Sequence, residues 1–272
     1  MSARVTRFAP APTGYLHLGH VLNAICVWRF ARSHGARVRL RIEDHDAQRC
    51  RPEYERALRE DLDWLGFVPD DEVPRQSERG PAYREVLEGL VQRGLVYGCA
   101  CSRQEVASAG TGDDGELRYP GTCRDRGLPL ESGLGWRVRM TPGVETFIDG
   151  WRGPQAQDPG AQCGDVLVRD RLGNWTYQWA ATIDDWLQGV TDVIRGTDLL
   201  SSTGRQIRLA RLAGRPEPAT FWHHALIMKS PAQKLSKSDG DTGVRDLRAA
   251  GWTRNGVIAE ALRRGGLAAP TG

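Results

Sequence analysis

The chain has 272 residues, of which 40% are hydrophobic, so it can bury the core of one large domain or of two small ones. Its formal net charge of +3 is too small to indicate a nucleic-acid partner by itself. No run approaches the roughly 18 to 20 apolar residues that span a bilayer, and the N-terminus lacks the apolar centre of a secretory signal. We therefore expect a cytoplasmic protein without a membrane partner.

The first third of the chain alternates between strand and helix patterns. Residues 4–9 are typical of a strand, residues 18–35 of a helix that ends at Gly35, and residues 36–44 of a second strand. Two amphipathic helices follow, the first of them beginning at Pro52. Their predicted apolar faces are Tyr54, Leu58, Leu62 and Leu65 in the first helix, and Tyr83, Val86, Leu87, Leu90 and Val91 in the second.

The pattern changes between Cys99 and about Arg169, where Gly and Pro separate short strand-like runs. This change indicates an inserted unit, with strands predicted at residues 135–140, 145–151 and 164–170. Alternation then resumes, with helices predicted at 175–189 and 199–214 and strands at 190–196 and 220–228. A parallel α/β sheet interrupted by an insertion is the simplest architecture.

Two histidines and two of the chain's three lysines, Lys234 and Lys237, indicate a site for a polyphosphate. His17 and His20 lie at or near the start of the first helix, and a helix N-terminus favours anions. All three lysines fall within residues 229–237, although Lys and Arg together number 37. A flexible ammonium can follow a charge that moves during a reaction, whereas the rigid arginine fork suits a fixed partner. For either motif alone, a chance match or a solvated loop is the alternative. A Walker-type GxxxxGK[ST] motif is absent.

The segments RFAPAPTGYLHLGH and KLSKS resemble those of class I aminoacyl-tRNA synthetases of the glutamyl and glutaminyl group. Residues 41–44 and 176–200 are similar to the same family, and the resemblance runs from about Arg4 to Ser238. It implies a Rossmann-type, parallel-sheet class I synthetase catalytic domain that uses ATP, with Mg²⁺ on the phosphates. It also implies catalytic roles for His17, His20, Lys234 and Lys237, and ATP binding by His17, Gly19, His20 and Lys237.

A glutamate substrate needs a fixed cation for its side chain and an anion for its ammonium group. Arg7 and Arg195 supply guanidinium forks, and Glu43 supplies a carboxylate, although an ordinary surface ion pair is the alternative for Glu43 or Arg195 alone. The resemblance implies L-glutamate contacts at Arg7, Phe8, Ala9, Pro10, Ala11, Glu43, Tyr177 and Arg195. Ala11 stands where the family usually has a serine, so we expect one hydroxyl contact to be missing.

Cys99, Cys101 and Cys123 have a spacing that suits tetrahedral Zn²⁺, with three buried free thiols as the alternative. The segment contains no histidine, so the sequence leaves four candidates for a fourth ligand: Asp113, Asp114, Glu116 and Tyr119. The pattern C-x-C followed by Y-x-x-x-C resembles the zinc site of the family branch that attaches glutamate to the queuosine of tRNA(Asp). This resemblance implies Tyr119 as the fourth ligand. Cys26, Cys50 and Cys163 are expected to be plain core or surface thiols.

These expectations divide the chain into four parts. Residues 1–97 and 170–238 form the two halves of the catalytic domain, residues 98–169 the inserted zinc subdomain, and residues 239–272 a short helical segment. A full glutamyl-tRNA synthetase carries a large anticodon-binding region after its lysine loop, and we expect no such region in the residues that follow Ser238.

We therefore expect a monomeric ligase that activates L-glutamate with ATP, without needing tRNA for this step. It would transfer the glutamate to the queuosine base at the wobble position of tRNA(Asp). Three alternatives remain open at this point: a core glutamyl-tRNA synthetase that charges tRNA(Glu), an adenylylating nucleotidyltransferase, and a non-catalytic, zinc-containing RNA-binding relative.

Overall fold

The computed structural model describes residues 3–46, 48–112, 115–230, 233–234 and 243–267, and only the backbone at residues 229, 230, 233 and 234. The chain divides into two compact units. The first comprises residues 1–77, 190–200 and 221–272, and the second comprises residues 78–189 and 201–220.

Short strands and helices alternate along much of the described chain. The strands are β1 (Val5–Phe8), β2 (Arg37–Leu40), β3 (Asp71–Glu72), β4 (Val96–Cys99), β5 (Gly135–Val138), β6 (Glu145–Asp149), β7 (Gly153–Gln157), β8 (Val166–Arg169), β9 (Asp192–Gly196), β10 (Thr220–His224), β11 (Met228–Ser230) and β12 (Gln233–Lys234). The helices are α1 (Leu18–His34), α2 (Pro52–Leu65), α3 (Gly80–Gln92), α4 (Arg103–Ser108), α5 (Pro159–Cys163), α6 (Tyr177–Leu187), α7 (Thr203–Ala213), α8 (Val244–Ala249) and α9 (Arg254–Arg264).

Within the described residues, no helix combines the length and the apolar character that crossing a membrane requires.

The first unit is built on the parallel strands β1, β2 and β3. Val5 pairs with Arg37 and Phe8 with Leu40, so β1 and β2 run in register along their whole length. Helix α1 packs against these strands and is buried on most of its sides, because apolar residues surround its axis instead of forming one stripe. The predicted α/β class with a parallel sheet is confirmed.

The second strand is shorter than predicted, because β2 ends at Leu40 although the strand pattern continues to Asp44. The chain still runs beside the first segment: Arg41 N–H donates to Phe8 O, and Glu43 N–H donates to Pro10 O. Proline has no backbone N–H, so Pro10 cannot donate a hydrogen bond to the neighbouring segment. Regular strand pairing therefore stops at this residue. Residues 41–46 are therefore extended but lie outside the sheet.

The second unit contains an antiparallel sheet in the order β4–β5–β8 and an antiparallel hairpin of β6 and β7. Helices α3, α6 and α7 surround an apolar cluster that contains the fully buried Trp179. The predicted insertion, residues 98–169, lies within this unit, and its bounds stay a prediction.

The predicted apolar faces of α2 and α3 are largely confirmed. Leu58, Leu62 and Leu65 are buried in the first unit, and Tyr83, Leu87 and Leu90 are buried in the second. Val91 was wrongly placed on the apolar face of α3, since it is 38% exposed. It lies about 100° around the helix axis from Leu90, which takes it past the edge of the buried stripe.

Gly89 inside α3 and Gly94 just after it are expected to have opposite effects on stability when each is replaced by alanine. Gly94 follows the helix with φ of 68° and open space around the position of a Cβ, whereas Gly89 lies inside the helix, also with open space. Gly94→Ala should lower the free energy of unfolding by about 1 kcal/mol, because an L side chain strains the left-handed conformation. Gly89→Ala should raise it by about 0.5–1 kcal/mol. Urea unfolding followed by circular dichroism measures both, and shifts of the same sign would contradict this account.

Candidate active site and cysteine cluster

The N-terminus of α1 is closed by two histidine rings. His17 is the N-cap residue, and its Nδ1 accepts a hydrogen bond from Gly19 N–H at 3.0 Å. In return, Nδ1 of His20 accepts a hydrogen bond from His17 N–H at 3.1 Å. The two ring centroids are 3.9 Å apart. The prediction that both rings lie at the helix N-terminus is confirmed, and the reciprocal cap adds a structural role.

This cap determines where each ring carries its proton. Nδ1 accepts from a backbone N–H in both His17 and His20, so the neutral form of each ring is protonated on Nε2. Both Nε2 atoms are therefore donors. Two such donors beside a positive helix end suit the oxygens of a phosphate chain.

Gly19 makes the ring arrangement possible. A Cβ at this position would lie 2.9 Å from Cε1 and 3.0 Å from Nδ1 of His17, so any side chain would push the capping ring away. The predicted contribution of Gly19 to the site thus has a steric basis. Its contact with ATP stays a prediction.

The described chain returns to this helix end at Gly243. Its backbone forms an antiparallel bridge with His17, and Val244 N–H donates to Leu16 O at 2.7 Å. Before the gap, Lys234 pairs with Met228 in the hairpin of β11 and β12, where its backbone alone is described. Lys237 lies outside the described residues, so the predicted catalytic roles of both lysines stay predictions.

Two predicted glutamate-binding arginines are buried in the first unit. Arg7 on β1 is 5% exposed and donates through Nη1 to Ile194 O at 3.2 Å. Arg195, the next residue on β9, is 4% exposed and donates through Nη2 to Leu199 O at 3.2 Å. The structure therefore brings these two cations to neighbouring positions, and neither belongs to an ordinary surface ion pair.

His223 is a member of this site that sequence reasoning missed. Its Nε2 accepts a hydrogen bond from Arg195 Nε–H at 3.0 Å, and its side chain is fully buried on β10. The guanidinium of Arg195 also lies 5.1 Å from the centroid of the Phe221 ring, two residues earlier on the same strand. His223 and Phe221 thus fix the orientation of the Arg195 fork.

Glu43 is also buried, and its carboxylate accepts a hydrogen bond from Arg41 Nη2 at 2.8 Å. Arg41 is completely inaccessible to solvent, so the surface-pair alternative is wrong for Glu43 as well. An ionised carboxylate can accept about four hydrogen bonds, which leaves this group the capacity to bind an ammonium group too.

The remaining predicted glutamate contacts differ in their surroundings. The Phe8 side chain packs in the core with its ring 5.5 Å from that of Trp28, so Phe8 could reach a substrate only through its backbone. Ala11 is half-buried, and its carbonyl accepts a hydrogen bond from Thr13 N–H. Tyr177 begins α6 of the second unit. Substrate contacts by these residues and by Ala9 and Pro10 stay predictions.

The three predicted zinc-binding cysteines form a cluster in the second unit. The sulfurs of Cys99, Cys101 and Cys123 all lie within 4.8 Å of one another, and those of Cys101 and Cys123 are 3.6 Å apart. Strand β4 carries Cys99, which is buried, and Cys123 is buried in a turn beyond α4. Converging sulfurs at these separations fit three corners of a tetrahedral zinc site.

Tyr119 lies beside the same sulfurs. Its hydroxyl oxygen is 3.5 Å from Cys99 Sγ and accepts a hydrogen bond from Cys123 N–H at 2.8 Å. The Glu116 carboxylate instead accepts a hydrogen bond from Arg205. The other two candidates, Asp113 and Asp114, lie outside the described residues. Among the candidates that are described, the geometry therefore favours Tyr119 over Glu116.

Two thiols of the cluster, Cys101 and Cys123, have pKa values shifted in opposite directions. Burial raises the pKa of Cys101 to about 11, and its hydrogen bond with Cys123 adds to this rise. Burial also raises the pKa of Cys123, but hydrogen bonds from the Ala100 backbone and the cluster side chains outweigh it and lower the value to about 7. The Cys123 thiol therefore loses its proton near neutral pH.

The other three cysteines are free thiols, as predicted. Cys26 is buried in α1, Cys163 is buried at the end of α5, and Cys50 is half-buried. Burial raises the pKa of Cys26 to about 12, so this thiol is inert at neutral pH.

Comparisons with known proteins agree with this geometry. The family described as tRNA synthetases class I (E and Q), catalytic domain, matches residues 4–129 and 131–270. A Bordetella bronchiseptica protein named Glutamyl-Q tRNA(Asp) synthetase is 46% identical over 241 residues, which is 87% of this chain and 75% of that protein. A Rhodobacter capsulatus protein of the same name is 40% identical over 267 residues, which is 91% of this chain and 95% of that protein.

A solved structure shows the same similarity. The crystal structure of a glutamate tRNA ligase from Elizabethkingia meningosepticum, in complex with its amino acid, has a TM-score of 0.74 and is 30% identical. The match covers 92% of this chain but only 54% of that one, so this chain spans about half the length of the ligase.

The contact between His223 and Arg195 leads to a prediction about glutamate binding. His223→Leu removes the acceptor for Arg195 Nε–H, so we expect L-glutamate to bind about 10-fold more weakly or worse, since hydrogen bonds to charged groups contribute about 1.5–3 kcal/mol. His223→Gln retains an acceptor oxygen and should recover much of the affinity. Isothermal titration calorimetry measures both variants, with thermal melting to verify folding. Wild-type affinity in a folded His223→Leu variant would exclude this role.

Proposed function

This chain belongs to the class I tRNA synthetases of the glutamate and glutamine family, and we propose that it is an ATP-dependent ligase acting on tRNA(Asp). It activates L-glutamate as glutamyl-adenylate without requiring tRNA, and it then transfers the glutamate to queuosine at the wobble position. The predicted fold class, an α/β class I synthetase catalytic domain with a parallel sheet, is confirmed by the family match and the solved relative.

The observation that carries this proposal is the similarity to two proteins named Glutamyl-Q tRNA(Asp) synthetase, at 46% and 40% identity. The solved glutamate tRNA ligase is only 30% identical, and this chain spans a smaller share of it. The similarity thus favours queuosine-bearing tRNA(Asp) over tRNA(Glu) as the acceptor. The buried arginines and the intact histidine pair support an enzyme and weigh against a non-catalytic RNA-binding relative.

In the first step, the α-carboxylate of glutamate attacks the α-phosphorus of ATP, and the bond to the departing pyrophosphate breaks. Nε2–H of His17 and of His20 donates to phosphate oxygens from the end of α1. Lys234 and Lys237 neutralise the charge that develops on the pyrophosphate as it leaves. Mg²⁺ accompanies ATP as part of the substrate.

Glutamate is held by charges that oppose its own. The Arg7 and Arg195 forks face its carboxylates, and Glu43 binds its ammonium group. Arg41 holds the Glu43 carboxylate in place, and His223 holds Arg195. In the second step, a hydroxyl of the queuosine cyclopentene ring attacks the carbonyl carbon of the adenylate. AMP leaves, and the hydroxyl proton is lost.

Cys99, Cys101, Cys123 and Tyr119 would hold one structural Zn²⁺. The three sulfurs converge on one point, and the hydroxyl oxygen of Tyr119 lies 3.5 Å from Cys99 Sγ. A zinc ion bound there would stabilise the fold by linking these residues.

The decisive test uses radiolabelled L-glutamate, ATP and three RNAs: tRNA(Asp) with queuosine, tRNA(Asp) without queuosine, and tRNA(Glu). We expect label only on the queuosine-bearing tRNA(Asp), and pyrophosphate exchange with glutamate and ATP alone. Nuclease digestion of the labelled tRNA(Asp) should place the label on the anticodon fragment and not on the 3′-terminal nucleotide, because the acceptor is the base. Label on tRNA(Glu), or exchange that requires tRNA(Glu), would falsify the proposal and favour a glutamyl-tRNA synthetase.

The lysine loop supplies a second test with an internal control. Lys237→Ala should slow glutamate-dependent pyrophosphate exchange by about 100-fold or more, since one charge partner of the transition state costs about 3–4 kcal/mol. Lys229→Ala removes the same charge outside the KLSKS segment and should change the rate less than 3-fold. Equal and mild effects would show that the lysine cluster reflects composition alone.

A further inference from the structure

One arginine of the second unit, Arg137 on β5, contacts two residues of the cysteine cluster. Its Nε–H donates to Cys99 Sγ at 3.2 Å, and its guanidinium carbon lies 3.6 Å from the centroid of the Tyr119 ring. The far end of the fork donates through Nη1 to Asp165 O at 2.8 Å. The guanidinium is thus anchored at one end and faces the cluster with the other.

Strand register explains how Arg137 reaches the cluster. Arg137 lies opposite Tyr97 of β4, and Cys99 lies two residues beyond Tyr97. Residues two apart on a strand project on the same face, so Cys99 is a diagonal cross-strand neighbour of Arg137. The Asp165 carboxylate binds the Tyr97 hydroxyl at 2.6 Å and Met140 N–H at 2.8 Å, which fixes the segment that holds the far end of Arg137.

The charge of Arg137 needs an anion. The residue is 7% exposed, and burying a guanidinium without a negative partner costs several kcal/mol. Within the described parts of the chain, no carboxylate pairs with Arg137, and the side chain of Asp165 is engaged by Arg124. The groups of the cluster that Arg137 contacts are Cys99 Sγ and the Tyr119 ring. Zinc ligation by Cys99 would therefore place a negative charge directly beside the guanidinium.

We propose that Arg137 is a positioning residue of the zinc centre, a role that rests on the zinc site proposed above. Three thiolates and a tyrosine oxygen carry more negative charge than one dication can neutralise. The hydrogen bond from Arg137 to Cys99 and its stacking over Tyr119 offset part of this excess and hold two of the four ligands in place. Groups in such positions typically change metal affinity by 10–100-fold when they are removed.

The test compares zinc release from wild type, Arg137→Met, Arg137→Gln and Arg169→Met. Arg169 is the matched control: it lies on β8 of the same sheet and stacks over Trp136, but its Nε–H donates to Gly173 O instead of a sulfur. Each protein is loaded with Zn²⁺, its content is measured by mass spectrometry, and release to a chromogenic chelator is timed. Circular dichroism verifies that the loaded proteins are folded.

We expect both Arg137 variants to release zinc about 10–100-fold faster than wild type, and Arg169→Met to release it at the wild-type rate. Co²⁺-loaded Arg137→Gln should also show a shifted thiolate-to-cobalt charge-transfer band. If Arg137→Met does not fold, Arg137→Gln decides, since it retains a donor for Asp165 O. Wild-type release and an unshifted band in a folded Arg137 variant would overturn the proposal, as would equally fast release from Arg169→Met. Wild-type protein that binds no zinc would overturn the zinc site itself, and neither result bears on glutamate transfer.

Discussion

The reciprocal cap at the start of α1 is the interaction on which the candidate active site depends. A serine or asparagine could satisfy the same amide groups, but neither would present a ring donor on its other side. Here Nδ1 of each histidine closes the helix, and Nε2 is left as the donor of the neutral ring. The fold therefore uses one nitrogen of each ring, and the proposed phosphate contacts would use the other. The small size of Gly19 is a condition for both, because it leaves room for the His17 ring.

The region around β4 in the second unit depends on a different constraint, which is the small size of its own apolar cluster. That cluster consists of Tyr97, Cys99, Val106, Tyr119 and Cys123, with Cys101 and Leu128 packed against it. Most of these residues carry a sulfur or a hydroxyl, so little purely apolar area is buried there. Small cores of this kind are commonly completed by a metal or a disulfide, and metal binding contributes directly to their folding. The converging sulfurs and the buried guanidinium are consistent with the first of these solutions.

Local sequence signals account for the parts of the structure that were predicted, and tertiary pairing accounts for those that were not. Helix α1 ends at Gly35 and α2 begins at Pro52, because glycine and proline act on the backbone at their own positions. Strand β4 was missed, since four residues that include Gly98 show no clear alternation and become a strand by pairing with β5. Helix α4 could have been found, because Ser102 and Glu105 form a capping box that is visible in the sequence.

The candidate site shows the same division. The histidine pair and the cysteine spacing are short-range patterns, and both are visible in the sequence alone. His223 was missed because its partner is Arg195, 28 positions away, and only the adjacent strands β9 and β10 bring the two together. The pair of Arg41 and Glu43 was within reach of sequence reasoning, since alternate residues of an extended segment share a face.

The contacts of the buried arginines show why arginine and lysine are not interchangeable in this protein. Three lysines among 37 basic residues leave 34 arginines, and several of these hold two or more fixed acceptors inside the protein. Arg208, for example, binds the carboxylate of Glu145 together with the carbonyls of Thr141 and Gly143. A lysine ammonium cannot span such acceptors, because it lacks the planar fork. A departing pyrophosphate imposes the opposite requirement, since its charge moves during the reaction. A fork fitted to one geometry would lose its contacts as that charge moved, whereas a single ammonium on a long stem can follow it.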